Sequence, residues 1–97
     1  MTNFYVTYKL ADKKTRDDFY KAIKESGADV KSRQETPCIR YDYFYPAEKD
    51  DELFLWEQWE SRQAQEEHTK QPHFAELTDI KEKYGAETSI VVEDSAV

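Results

Sequence analysis

Residues 53–59 read LFLWEQW, and this stretch decides the fold. Leu53, Leu55, Glu57 and Trp59 share one parity, Phe54, Trp56 and Gln58 the other, so a strand here carries large apolar groups on both faces. A strand with one wet face would alternate; this one needs cover on both sides. Just upstream, residues 38–45, CIRYDYFY, set Ile39, Tyr41, Tyr43 and Tyr45 against Cys38, Arg40, Asp42 and Phe44, and Pro46 ends the run. The polar AEKDDE between them makes a hairpin-like connection. Residues 3–10, NFYVTYKL, are β-branched or aromatic at nearly every position and form another strand with both faces covered.

Two helical patterns separate these strands. In residues 11–27, Thr15 can cap, Asp17 and Asp18 suit the positive helix end, and Phe19, Ala22 and Ile23 make one stripe before Gly27. Residues 28–37 are polar, with Val30 the one clearly apolar side chain, and read as a connector with at most a turn of helix. Glu60 and Ser61 open a helix to His68, and Pro72 starts another that runs to Tyr84 before Gly85. Phe74, Leu77, Ile80 or Lys81, and Tyr84 give that last helix a buried stripe. Residues 86–92, AETSIVV, make a fourth strand. The order β-α-β-β-α-β, with its second helix broken at Pro72, predicts an α+β ferredoxin-like domain over residues 1–92 and an acidic tail over 93–97.

Composition supports one small domain. Leu, Ile, Val and Phe total only 18 of 97 residues, so a core depends on the seven Tyr, two Trp and five Phe, each able to bury roughly 150–250 Å². Such a thin aliphatic supply, with strands apolar on both sides, points to a core shared between two copies. The net charge of −7 opposes phosphate binding and argues against nucleic acid. No apolar run approaches the roughly 20 residues that cross a bilayer. The lone Cys38 makes no internal disulfide and suits a reducing compartment, so the expected location is cytoplasmic.

Few side chains suggest chemistry. His68 falls four residues after Ala64 on a helix otherwise rich in Gln, Glu and Arg, and so turns inward. It is either a general base or a packed histidine bonded to a carbonyl. His73 follows Pro72 at a helix start, and its local pattern favours an exposed first-turn position; no i,i+4 His pair or Cys/Asp cluster supports a metal. Glu57 lies in the most apolar strand and needs a partner, with an ion pair to Arg40 or a Lys favoured over a catalytic acid. Trp56 and Trp59 take opposite faces, while Tyr41, Tyr43 and Tyr45 form a row that is plain packing or a polar-tipped pocket wall. Cys38 has no adjacent base to activate it.

The segments ETPCIRYDYFY and FLWEQWESRQAQEEHTKQPHF together resemble the signature of the antibiotic biosynthesis monooxygenase family, small dimeric α/β-barrel proteins. The resemblance rests on Glu35, Cys38, Tyr41, Glu57, Trp59, Ser61, His68, His73 and Phe74, with Pro37 standing where the family often has Gly. It implies a homodimer of two packed four-stranded sheets, a pocket between each sheet and its helices, and oxidation of quinol- or anthrone-like aromatics by O₂ without metal, flavin or haem. On that resemblance His68 is the base, Trp59, Tyr43, Tyr41 and Phe74 are pocket wall, and His73 and Glu57 assist proton placement. A related haem-degrading group carries a Trp where this chain has His68 and an axial His where it has Thr78, which disfavours haem. The remaining alternatives are an isomerase of a small phosphorylated carbonyl compound and a non-catalytic binding or stress-related dimer.

Overall fold

A computed structural model describes residues 1–94. The elements are β1 (Thr2–Lys9), α1 (Lys13–Ser26), α2 (Ala28–Gln34), β2 (Cys38–Phe44), β3 (Glu52–Trp59), α3 (Arg62–His68), α4 (Pro72–Tyr84) and β4 (Glu87–Asp94). All neighbouring strands are antiparallel, in the order β2-β3-β1-β4. This is the expected α+β ferredoxin-like arrangement, with helices on one sheet face. The strand 53–59 sits in the middle of the sheet, where both its edges are paired and its apolar content is best used.

Register fixes which side chains meet. Phe4 and Tyr41 both lie opposite Glu57, Tyr43 opposite Leu55, and Val6 opposite both Leu55 and Ile90. The helix-side core gathers Val6, Leu53, Leu55, Trp59, Phe19 and Ile23, each at most 2% exposed. The other face carries Tyr5 stacked on Phe54 at 6.3 Å, Trp56 beside Tyr5 at 6.0 Å, and the Arg40 guanidinium 4.1 Å over the Trp56 ring. So Trp59 meets the helices and Trp56 the opposite side.

Several sequence expectations shift in detail. Helix α1 starts earlier than a Thr15 cap allows: Asp12 is the cap and accepts from the Thr15 backbone N–H at 2.8 Å. Asp17 and Asp18 then fall in the second turn, where they pair with Lys13 and Lys14 one turn back. The connector contains a full two-turn helix, α2, because Gly27 adopts φ 73° and lets the chain restart at once. The Asp29 carboxylate accepts from Lys24 at 2.6 Å and Arg33 at 3.1 Å and locks α1 to α2. A bulge between Cys38 and Arg40 makes Ile39 an extra residue, half exposed and outside the Tyr41–Tyr43 row. Tyr45 lies beyond the strand with the Arg16 guanidinium 3.9 Å over its ring. Glu93 and Asp94, expected in the tail, extend β4 opposite Asn3 and Thr2; the remainder, 95–97, lies outside the described residues.

Every residue of β4 is exposed, including Ile90 at 53% and Val91 at 65%. Among the described residues no helix is long and apolar enough to cross a membrane.

Candidate active site

The strand β3 delivers Glu57 and Trp59 to the helix side two residues apart, and the Trp59 indole N–H donates to Glu57 Oε1 at 2.9 Å. Arg40 lies on the other sheet face, paired with Asp42, so the expected Arg40 ion pair does not form. Among the described residues Glu57 has no ion pair at all. Burial therefore pushes its carboxyl up to about 7, with the Trp59 N–H and the charge of Lys81 resisting and Glu35 assisting. Its protonated form therefore persists well above the usual carboxylate range.

Immediately after β3 the chain turns at Ser61, whose hydroxyl accepts from the Ala64 N–H at 3.1 Å and starts α3. That short helix ends on His68, which is fully buried. Its ring stands 4.7 Å from Trp59, 5.6 Å from Tyr41 and 5.3 Å from Phe74. The inward reading of His68 corresponds to what is seen, and its partner is a carboxylate rather than a backbone carbonyl. Glu35 Oε2 lies 2.6 Å from His68 Nδ1 and 2.8 Å from His73 Nε2. His73 is thus drawn in, its side chain only 11% exposed, against the expected open first-turn position. Pro72 opens α4 just before it, and the bond to Glu35 ties the ring to the segment that follows α2.

Glu35 follows α2 and is held by backbone: its N–H donates to Ser32 O at 3.2 Å and its carbonyl accepts from Cys38 N–H at 2.9 Å. Pro37 in turn accepts from Glu60 N–H at 3.0 Å. No residue other than Gly27 and Gly85 has positive φ among the described residues, so this turn accepts Pro37 without a glycine. Sequence reasoning named Glu35 only through the family signature. The pairing with two histidines comes from α2, which local pattern did not reveal.

These contacts set a tautomer. A carboxylate oxygen at 2.6 Å requires a donor, so Nδ1 of His68 carries the proton. Burial lowers the ring's pKa, the Glu35 carboxylate opposes that, and His73 and Lys81 reinforce it. The neutral ring then leaves Nε2 as a lone-pair base, and this buried atom has no hydrogen-bond partner. The three donor atoms of Glu35, His68 and His73 lie within 4.8 Å of one another, close enough to hold a divalent ion, and Glu35 satisfies both imidazoles without one.

A small cavity of about 60 Å³ lies between α4 and the sheet, and His68 is not part of its lining. Tyr8, Tyr41, Glu57, Phe74, Leu77 and Lys81 form its wall, with the exposed Thr88 and Ile90 on the β4 side. Tyr41 and Phe74 belong to this wall and also touch the His68 ring. Burial holds the Tyr8 and Tyr41 phenols well above their ordinary value, so both stay neutral. Tyr43 belongs instead to a larger, more open hollow of about 340 Å³ with Tyr20 and Tyr45. It still touches Tyr41, at 5.9 Å. Lys81, named in the sequence only as a stripe residue, proves to be the one cation of the cavity wall.

Comparison with curated proteins returned no match. Among solved structures, a conserved protein of unknown function from Bacteroides thetaiotaomicron superposes with TM-score 0.84 at 24% identity, covering 97% of this chain and 96% of that one. SnoaB, a cofactor-independent oxygenase from Streptomyces nogalater, superposes with TM-score 0.79 at 11% identity over 99% of this chain and 93% of its own. Such identities speak to shared fold. The sequence profile of the antibiotic biosynthesis monooxygenases matches residues 5–79, which include every residue of the Glu35, His68 and His73 cluster. The chain belongs to the antibiotic biosynthesis monooxygenase family.

Proposed function

We propose that this protein is a cofactor-independent monooxygenase that oxidises a quinol- or anthrone-like aromatic with O₂, and that it works as a cytoplasmic homodimer. The observation that carries the reading is His68: neutral, fixed by Glu35 through Nδ1, with Nε2 left as an unused buried base, and its ring against Tyr41 and Phe74, which also line an aromatic cavity. Membership of a monooxygenase family supports the reaction class.

The chemistry needs little from the protein beyond these groups. Removing a proton from an acidic phenol or enol gives an anion electron-rich enough to reduce O₂. One oxygen atom then enters the carbon skeleton and the other leaves as water, with every electron drawn from the substrate. The chain contributes a base, a dry enclosure and orientation. His68 takes the proton when Tyr41 or Phe74 swings aside to admit substrate, and Glu35 stabilises the imidazolium that forms. Trp59 backs the His68 ring, Phe74 confines the substrate, Tyr41, itself braced by Tyr43, supplies a polar tip, and His73 holds Glu35 from its other side.

The dimer reading draws on the uncovered face of Tyr5, Phe54 and Trp56 and on the exposed apolar edge strand β4. A stable folded monomer in sedimentation at micromolar concentration removes it. The activity is tested with an oxygen electrode and chemically reduced menaquinone analogues or anthrone. His68→Gln should lower the rate by about 100- to 10,000-fold while the fold is kept. Oxygen uptake no faster than the spontaneous rate with all such substrates refutes the assignment.

A further inference from the structure

The cavity wall holds an ammonium and a carboxyl that do not pair. Lys81 Nζ lies 5.1 Å from the Phe74 ring centroid and 5.9 Å from that of Tyr8, and among the described residues it makes no hydrogen bond or ion pair. Glu57 spends Oε1 on the Trp59 N–H, which leaves its other oxygen free. Both side chains line the same small space, Lys81 from α4 and Glu57 from β3, with Phe74 and Tyr8 also in its wall. A half-buried ammonium resting on two aromatic faces keeps its charge poorly solvated, and an anionic oxygen placed between it and Glu57 relieves that.

We infer that Lys81 and Glu57 form a two-donor seat for the ionised oxygen of a small acidic phenol or enol. This rests on the proposed function and adds the ionisation state in which the substrate is held. The cavity, at about 60 Å³, takes the oxygen and the near edge of one ring, and the rest of the ligand lies toward Thr88 and Ile90 at the mouth. Lys81 supplies charge and a hydrogen bond. Glu57, while protonated, donates its O–H to the same oxygen; once ionised it repels the ligand. Tyr8 from β1 and Tyr41 from β2 also line this space; behind them His68 from α3 touches Tyr41, and the charges of Glu35, before β2, and Glu57 act on each other and on the Cys38 thiol. The phenols and the thiol stay neutral through pH 8, because burial raises all three. Burial lowers His68 and Lys81, so the share of any change between pH 6 and 8.5 that belongs to Glu57, whose carboxyl is pushed up to about 7, is the share a Gln at this position removes.

The test is binding of 2-hydroxy-1,4-naphthoquinone, a flat acidic enol that is ionised throughout this range, followed by quenching of tryptophan fluorescence. Its neutral analogue 1,4-naphthoquinone is the control. Lys81→Met should weaken binding of the anion by about 10- to 100-fold and leave the neutral analogue within a few-fold, with Lys81→Arg restoring most of the loss. Wild-type affinity for the anion should fall between pH 6 and 8.5, and Glu57→Gln should make that fall clearly smaller. Equal affinity of wild type and Lys81→Met for the anion overturns the inference, as does an equal loss for both ligands. A pH dependence unchanged in Glu57→Gln removes the second donor. None of these measurements requires turnover. A protein that seats the anion through Lys81 yet consumes no O₂ keeps this inference and loses the proposed reaction.

Discussion

Replacing Glu57 by Gln should make the protein more stable at pH 8 and leave it little changed at pH 4.5. The isosteric amide keeps an oxygen for the Trp59 N–H, now at 2.9 Å, and adds no volume. What it removes is a titration. The carboxyl passes from 4.5 in the unfolded chain to about 7 in the folded one, chiefly because 6% exposure strips its ionised form of water. The folded state thus binds more protons than the unfolded state across that window, so stability falls as pH rises through it. The favourable term is fully present below 4.5 and lost above about 7. At about 1.4 kcal/mol per pH unit the loss amounts to roughly 3 kcal/mol, a large share of a small domain's total. His68 acts oppositely, because its lowered pKa makes stability rise with pH near neutrality. Its contribution is common to both proteins and cancels in a double difference. Urea unfolding of wild type and Glu57→Gln at pH 4.5 and pH 8, at one fixed protein concentration, gives that difference directly. A change in the gap between the two proteins of less than about 1 kcal/mol refutes the buried, unpaired state of Glu57.

Three further outcomes follow from the same geometry. Glu35→Gln should lower the His68 pKa below its already depressed value, since the carboxylate is the group that raises it; an NMR titration showing an upward move refutes the Glu35–His68 bond. Ser61→Ala should cost about 1 kcal/mol in urea unfolding through loss of the α3 cap, and no measurable cost would mean that this helix start is held by tertiary packing alone. The Cys38 thiol, pushed up to about 11 by burial and by the charges of Glu35 and Glu57, should react with a disulfide reagent at pH 8 far more slowly than an unfolded control, and rapid stoichiometric labelling contradicts that environment.

The parts of this fold that local chemistry governs were legible in the sequence. Residues 53–59 announced a central strand because both parities were apolar, and Pro72 and Ser61 marked helix starts because their backbone preferences act within a turn. Three features escaped for physical reasons of one kind. Thr15 can cap, but Asp12, three residues earlier and the stronger cap former, occupies the cap and takes the Thr15 N–H. The bulge at Ile39 shifts parity by one residue, and alternation alone cannot report a residue that drops out of register. Glu35 reaches His68 and His73 across separations of 33 and 38 residues, and the path depends on α2, whose polar sequence shows no apolar stripe. Its helix is held by Gly27, by Asp29 and by Ser32, whose hydroxyl bonds Ala28 O at 2.8 Å.

The site draws its character from two carboxyl groups treated in opposite ways by the same fold. Glu35 ends a helix connection and meets two imidazoles, so its negative charge is answered by donors on α3 and α4. Glu57 sits mid-strand, where register places Phe4 and Tyr41 opposite it and leaves a single indole N–H as its bonded donor. A charged Glu35 raises Glu57, and Glu57 in turn raises Lys81 against the burial that lowers it. Near neutral pH the resulting inventory is an oriented neutral imidazole with a free Nε2, and beside it an acid able to donate and an unpaired ammonium. A base on one side and two donors on the other differ in what they offer a phenol: the first removes its proton, the second retain the anion that remains. Because burial produces the second set and a hydrogen bond orients the first, substitutions at Glu35 and at Glu57 should separate proton removal from anion retention.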